Sequence, residues 1–225
     1  RGIKQYPSSY FGPYYLAKLL SHEKEYEKAI EQYQRAVAIY PAFVVAHLEL
    51  ASLYEVLMNP DKAEEIYRAV LEKTNVEHRE AGLRLVHLLT QKKAYNEAMG
   101  VLNRLLEEEP NNPDVLLKVS LLWSEQSEYV QAMGALERVL AQWPHASDLK
   151  VYLASLYERQ SEHEKAVTTY QEALKMGGDR YDIRLRLGTL YFYHFKKMPE
   201  ALAEGEAALE VDPDKPDAYL LTGLV

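Results

Sequence analysis

The six residues LASLYE occur twice in this chain of 225 residues, at Leu50–Glu55 and again at Leu153–Glu158. In both copies an Ala follows the Tyr by nine residues, with a Lys just before that Ala and a second Tyr four residues after it. The likeness therefore extends well beyond six letters, which indicates a repeated structural unit.

The same spacing recurs between the two copies, which lie 103 residues apart, or three periods of 34 residues plus one. A large residue is followed nine positions later by Ala in the pairs Leu20/Ala29, Tyr54/Ala63, Leu89/Ala98, Trp123/Ala132 and Tyr157/Ala166. In a sixth pair, Tyr191/Ala201, the gap is ten. The chain is therefore predicted to contain six copies of one unit of about 34 residues.

Helix-breaking residues keep the same period. They are Pro41, Pro110, Pro144 and Pro213, with Asn75 and Gly178 at the corresponding points of the other two copies. Proline cannot continue a helix interior, and Asn and Gly accept the left-handed conformation of a helix C-terminus. Between these stops each unit has the apolar spacing of two amphipathic helices, as in Pro113–Ser127 and Tyr129–Gln142. Asn112 before Pro113 predicts a helix N-cap.

These features resemble the tetratricopeptide repeat, a helix-turn-helix of about 34 residues with the signature W-x2-L-G-x2-Y, then A-x3-F, then P. The second copy supplies Leu50, Ala51, Tyr54, Ala63, Tyr67 and Asn75, and the sixth supplies Leu187, Gly188, Tyr191, Ala201, Ala208 and Pro213. The resemblance implies an all-α protein, an α-solenoid that forms a right-handed superhelix. LASLYE is then interpreted as the packing face of a first helix.

We expect a single solenoid domain over residues 1–225. Its predicted repeats are 10–43, 44–77, 79–112, 113–146, 147–180 and 181–215, and residues 216–225 begin a seventh helix. His78 is a one-residue insertion, and a second extra residue lies between Tyr191 and Ala201. Small residues such as Ala154 and Gly188 are expected to let neighbouring helices approach closely.

Charge and composition exclude several functions. The net charge of −8 repels phosphate and anionic lipid, and no apolar run approaches the roughly 20 residues of a membrane span. Zero Cys excludes disulfides and thiolate zinc sites. No His pair at helical i, i+4 spacing, no phosphate-binding Gly motif and no nucleophile–base pair is found. We therefore expect no catalytic residues, no cofactor, no metal, no nucleic-acid partner and no membrane insertion by this region.

The resemblance places function in a concave groove lined by the first helix of each repeat, so we expect a non-catalytic scaffold that binds a peptide or partner protein. Arg84, Lys118 and Arg186 occupy the same repeat position and form a candidate cationic ladder. Such a ladder favours a partner that is acidic or presents a free carboxylate. The predicted partner-binding residues are Arg84, His87, Lys118, Tyr152, Arg186 and Tyr193. The alternative for the cations is an ordinary solvated helix face.

A second functional hypothesis is a targeting or assembly arm of a larger chain, such as an envelope-biogenesis or secretion component, or an enzyme whose catalytic domain lies outside these residues. The missing initiator Met and signal-peptide pattern suggest an excised fragment. Zero Cys does not separate a cytoplasmic from a periplasmic or envelope-associated compartment, so the localisation stays unknown. The style of the repeats resembles bacterial members of the family, and self-association remains open.

Overall fold

The computed structural model describes residues 9–73, 78–177 and 180–224, and in these ranges the secondary structure is entirely helical, with no strand. The α-helices are α1 Phe11–His22, α2 Tyr26–Ile39, α3 Val44–Val56, α4 Pro60–Lys73, α5 His78–Gln91, α6 Tyr95–Glu108, α7 Pro113–Glu125, α8 Tyr129–Gln142, α9 Ser147–Arg159, α10 His163–Gly177, α11 Tyr181–Leu190, α12 Met198–Val211 and α13 Pro216–Leu224. A π-helix, Tyr191–Phe195, continues directly from α11. The chain divides into two compact units, Arg1–Pro110 and Asn111–Val225.

Each helix pair contains the same turn between its two helices. One residue of the turn has a left-handed backbone with φ between 55° and 63°; these residues are Lys24, Met58, Lys93, Ser127, Ser161 and Lys196. The amide of the next residue donates a hydrogen bond back to the first helix, as from Asn59 N to Tyr54 O at 2.8 Å. The carbonyl acceptors are Leu20, Tyr54, Leu89, Trp123, Tyr157 and Tyr191, the large residues of the sequence repeat. The recurring pair of a large residue and Ala therefore brackets this turn.

The Ala of each pair lies in the second helix and is completely buried. The residues concerned are Ala29, Ala63, Ala98, Ala132, Ala166 and Ala201, all with 0% exposure. A tyrosine four positions later in α2, α4 and α10 is also buried, at Tyr33, Tyr67 and Tyr170. The small residue permits close helix approach, while the tyrosine fills the adjacent space.

The sixth helix pair accommodates its extra residue in the π-helix. Lys197 N donates to Tyr191 O at 2.9 Å, six residues apart, whereas the corresponding separation in the other five turns is five. Successive left-handed residues are 34 positions apart except for the steps Met58 to Lys93 and Ser161 to Lys196, which are 35. A π-turn is the usual way for a helix to absorb one additional residue.

The predicted proline stops are confirmed: α2, α6, α8 and α12 each end two residues before a proline. Asn75 and Gly178, predicted as the other two stops, lie outside the described residues. Asn112 caps α7, because its Oδ1 accepts hydrogen bonds from Asp114 N at 3.1 Å and Val115 N at 3.2 Å. The predicted extension of α7 to Ser127 is wrong, because Ser127 adopts the left-handed conformation that ends the helix.

Each unit has buried apolar residues of its own. In the unit Asn111–Val225, one cluster joins α9, α10 and α11 through Ala154, Ala166, Tyr170, Ala173, Ile183, Leu187 and Leu190. In the unit Arg1–Pro110, the largest fully buried side chains are Tyr33, Tyr67, Leu85, Leu89 and Leu102. Within residues 9–73, 78–177 and 180–224, none of the helices combines the length and apolar character required to cross a membrane.

Candidate partner-binding site

Arg84 lies on α5, and all three nitrogens of its guanidinium are hydrogen-bonded within the chain. Nε and Nη2 donate to Glu80 Oε1 at 3.1 and 2.9 Å, and Nη1 donates to Ser52 Oγ on α3 at 2.8 Å. His87, one turn later, is exposed, and its Nε2 atom lies 3.0 Å from Gln91 Nε2. The Arg84 guanidinium therefore already holds a carboxylate of its own helix.

Arg186 lies on α11 and contacts Glu158 and Tyr170. Its Nη1 donates to Glu158 Oε1 on α9 at 3.3 Å, and the same oxygen accepts a hydrogen bond from the Tyr170 hydroxyl on α10. The Arg186 side chain is 51% exposed, against 25% for Glu158. Three helices thus meet at one carboxylate, and Arg186 also interacts with the Tyr170 hydroxyl, which opposes the rise in the pKa of that tyrosine.

The glutamate at the end of LASLYE has the same role in both copies. Glu55 accepts a hydrogen bond from the buried Tyr67, as Glu158 does from Tyr170. Burial, followed by the bond to Glu55, raises the pKa of Tyr67 to about 12, and burial with the bond to Glu158 also raises the pKa of Tyr170. Both hydroxyls are therefore proton donors at neutral pH. Interpreting LASLYE as packing alone missed this contact, which the shared glutamate-to-tyrosine spacing of twelve residues would have indicated.

Lys118 on α7 differs from both arginines. Its side chain is half-buried, and its ammonium group forms no hydrogen bond or ion pair with any residue in the described ranges. Tyr152 on α9 packs against the apolar cluster of Ala132, Leu136 and Leu153, and its buried hydroxyl has no hydrogen-bond partner among the described residues. The same unit thus contains a half-buried cation and a tyrosine hydroxyl without partners.

Tyr193 lies in the π-helix, where its side chain is 52% exposed and its ring packs edge-on against Phe192 at 4.8 Å. The neighbouring His194 stacks on His163 of α10, with 3.6 Å between ring centroids. Sequence reasoning missed this His pair because it considered only helical i, i+4 spacing, and the two rings come from different helix pairs.

The three candidate cations differ in how far they are bonded within the chain. In the described ranges Arg84 has all three guanidinium nitrogens hydrogen-bonded, Arg186 contacts Glu158 and Tyr170, and Lys118 has no bond. Within the described ranges there is no cluster of three or more His, Asp or Glu side chains arranged to hold a metal ion. Ammonium and guanidinium groups of this kind can donate hydrogen bonds to carboxylates and form ion pairs with them.

Comparison with known proteins gives the family. Residues 17–174 match the family described as the Tetratricopeptide repeat protein 21 fourth ARM domain, and residues 154–218 match the Tetratricopeptide repeat family. Tetratricopeptide repeat protein 21A of Homo sapiens is 32% identical over 109 residues, which are 48% of this chain and 8% of that protein. The chain thus spans less than a tenth of the length of the curated relatives that it matches.

Solved structures give the same fold. The type IV pilus biogenesis factor PilW has a TM-score of 0.70 at 18% identity, covering 94% of this chain and 97% of its own. PilF of Pseudomonas aeruginosa has a TM-score of 0.68 at 19% identity, covering 100% of both chains. At such identities the likeness shows the fold alone.

The predicted fold class is confirmed: the chain is an all-α protein of the tetratricopeptide-repeat α-solenoid class. This class of helical fold is that of protein-interaction scaffolds. Because the match at residues 17–174 covers more than half of the chain, the protein belongs to the family of the Tetratricopeptide repeat protein 21 fourth ARM domain.

Proposed function

We propose that this chain is a non-catalytic scaffold that binds a peptide or partner protein through the exposed surface of its first helices and thereby contributes to the assembly of a multiprotein complex. The observation that carries the proposal is Lys118, a half-buried residue whose ammonium group has no partner among the residues that the structure describes. An ammonium group that has no partner among the described residues can pair with a partner's carboxylate without first giving up a contact within the chain.

The proposed partner presents acidic side chains or a free carboxylate. Ammonium and guanidinium groups donate only, and carboxylates are their strongest acceptors in proteins. Tyr152, which packs against an apolar cluster of the unit that also contains Lys118 and Arg186, is proposed to add apolar contact area. The proposed binding residues are Arg84, His87, Lys118, Tyr152, Arg186 and Tyr193. Among the three cations, Lys118 is proposed to contribute most, because both arginines already bond to carboxylates of the chain.

The test is affinity capture from the source cell with the wild type and with Lys118→Glu, compared at physiological salt and at 1 M salt. We expect Lys118→Glu to lose the captured partner. High salt should weaken wild-type capture, because the Debye length falls from about 8 Å to about 3 Å. Lys175→Glu on α10 is the matched control, since Lys175 is exposed and forms no ion pair with any residue that the structure describes. If folded Lys118→Glu retains the partner as well as this control does, the proposal is wrong.

A second candidate, a targeting or assembly arm of a larger chain, is favoured by one observation. The matched segment makes up 8% of human Tetratricopeptide repeat protein 21A. An enzyme with its catalytic domain elsewhere, or an envelope-biogenesis or secretion component, belongs to this second candidate. Measuring the mass of the full-length gene product decides the matter, because an arm requires a protein much heavier than the 25.9 kDa of these residues.

A further inference from the structure

Glu158 competes with any external carboxylate for Arg186. A guanidinium binds a carboxylate most strongly through two parallel N–H groups. Because Nη1 of Arg186 already donates to Glu158 Oε1 at 3.3 Å, the edge formed by Nε and Nη2 is the one that an incoming carboxylate can approach without displacing this bond. It would also lie close to the negative charge of Glu158, which repels it.

The Glu158 carboxylate is held in place by a hydrogen bond from the buried Tyr170. The hydroxyl of Tyr170, a side chain with 0% exposure, donates to the same Oε1 atom that accepts from Arg186. Glu158 itself is only 25% exposed. Its rotation away from Arg186 would leave the buried tyrosine hydroxyl without an acceptor, which costs more than breaking a surface ion pair.

We propose that Glu158 is an internal substitute for the partner's carboxylate, which masks Arg186 and lowers the affinity of the binding surface for acidic ligands. This inference rests on the proposed function, and it gives that surface a built-in autoinhibitory contact. Lys118 then makes the first contact with an acidic ligand, and Arg186 joins only when the ligand outcompetes Glu158.

The central variant is Glu158→Gln. Glutamine has the same shape, its side-chain carbonyl can still accept from Tyr170, and it removes the charge that pairs with Arg186. The ligand is a hexaglutamate peptide that carries a fluorophore on its N-terminal amine and has a free α-carboxylate, titrated by fluorescence polarisation. We expect Glu158→Gln to bind this peptide about two- to fivefold more tightly than the wild type, the range of an exposed ion pair.

Three controls separate masking from other effects. Glu164→Gln on α10 makes the same change in net charge at an exposed residue, and we expect the affinity to stay at the wild-type value. The double variant Glu158→Gln/Arg186→Gln should lose the gain, because the released guanidinium is gone. Tyr170→Phe removes the hydroxyl that opposes rotation of Glu158 but leaves the negative charge in place, so we expect its affinity to rise, but by less than that of Glu158→Gln.

The outcomes distinguish this inference from the proposed function. If Lys118→Glu weakens peptide binding but Glu158→Gln binds as the wild type does, masking is wrong and the acidic-partner proposal stands. If Glu164→Gln gains as much as Glu158→Gln, the effect is general charge and masking is again wrong. If the wild type and Glu158→Gln both fail to bind hexaglutamate, carboxylate recognition is wrong and masking falls with it.

Discussion

Gly188 lies on α11 at a point where the structure has no room for a side chain. An added Cβ would come 2.4 Å from Leu221 Cδ2 and 3.2 Å from the backbone oxygen of Ala201. We expect Gly188→Ala to lower the free energy of unfolding by about 1–3 kcal/mol, the usual cost of overpacking, as measured by urea denaturation.

The matched control for this change is Gly134→Ala in α8, where an added Cβ meets nothing within 4 Å. Because Ala restricts the unfolded chain more than Gly does, this variant should gain about 0.5–1 kcal/mol. Equal effects at the two glycines would contradict the close packing of α11 described above.

Glu64 gives the protein a defined response to acid. Its carboxylate accepts from Lys92 Nζ at 2.7 Å and from Arg68 Nη2 at 2.8 Å, and these bonds, that to Lys92 first, lower its pKa. A carboxyl with a lowered folded pKa stabilises the fold above its unfolded pKa, about 4.3, and loses that contribution as the pH falls through the folded value.

The corresponding prediction is that Glu64→Gln lowers the free energy of unfolding at pH 7 by about 1 kcal/mol. The difference from the wild type should shrink as the pH is lowered below about 4.3. Urea unfolding from pH 7 to below about 4.3 measures this difference in the free energy of unfolding, and Glu65→Gln, a change at an exposed neighbour, is the control. Parallel stability curves for the wild type and Glu64→Gln down to the acid limit would contradict the assignment.

At the scale of elements, the turn inside each helix pair is set by one left-handed residue, and none of the six is Gly or Asn. Met58 is 87% exposed, so its side chain contributes little packing. The left-handed conformation costs a residue with a side chain roughly 1 kcal/mol of steric strain. Gly avoids this strain, but it loses more conformational entropy on folding, which offsets part of the gain.

We therefore expect Met58→Gly to raise the free energy of unfolding by about 0.5 kcal/mol. Thermal unfolding of the two proteins measures the change. The contrasting variant is Val56→Gly at the last residue of α3, which should be destabilising because this residue is helical and Gly has the lower helix propensity. A loss of stability in Met58→Gly would mean that the side chain, and not the backbone, determines this turn.

The elements could be predicted from the sequence where one local signal decides them. The four proline stops and the Asn112 cap depend on short-range chemistry, and both are confirmed. The extra residue before Ala201 was located correctly, but its conformation could not be foreseen. One extra residue can lengthen either the turn or the helix. Which of the two forms depends on the backbone hydrogen bond from Lys197 N to Tyr191 O, and the sequence does not encode that bond as a local pattern.

The candidate site was less predictable for a related physical reason. Periodicity places Lys118 and Arg186 at the same position of a first helix, but it does not reveal what each side chain bonds to. That depends on residues about 28 positions earlier, since Arg186 meets Glu158 on another helix. Lys118 remained unpaired among the described residues, and no pattern in the sequence separates these two cases.

At the scale of the whole molecule, a single solenoid domain over residues 1–225 remains a prediction. In repeat proteins each helix pair is stabilised mainly by its neighbours, so a stretch of adjacent repeats can fold once its core is covered. The unit Asn111–Val225 has the apolar clusters of its own that this requires, and its first helix begins at the Asn112 cap.

We therefore expect a protein of residues 111–225 to fold without residues 1–110, giving a helical far-UV circular dichroism spectrum and a cooperative urea transition. The matched control is residues 129–225, which lacks α7. This deletion removes the helix that forms a pair with α8 and leaves apolar residues such as Ala132 and Leu136 without that cover. It should therefore lose cooperativity and unfold at a lower urea concentration. If both fragments unfold at the same concentration, α7 adds nothing to this unit. If the longer one is unfolded in buffer, the stability of residues 111–225 depends on the repeats that precede them.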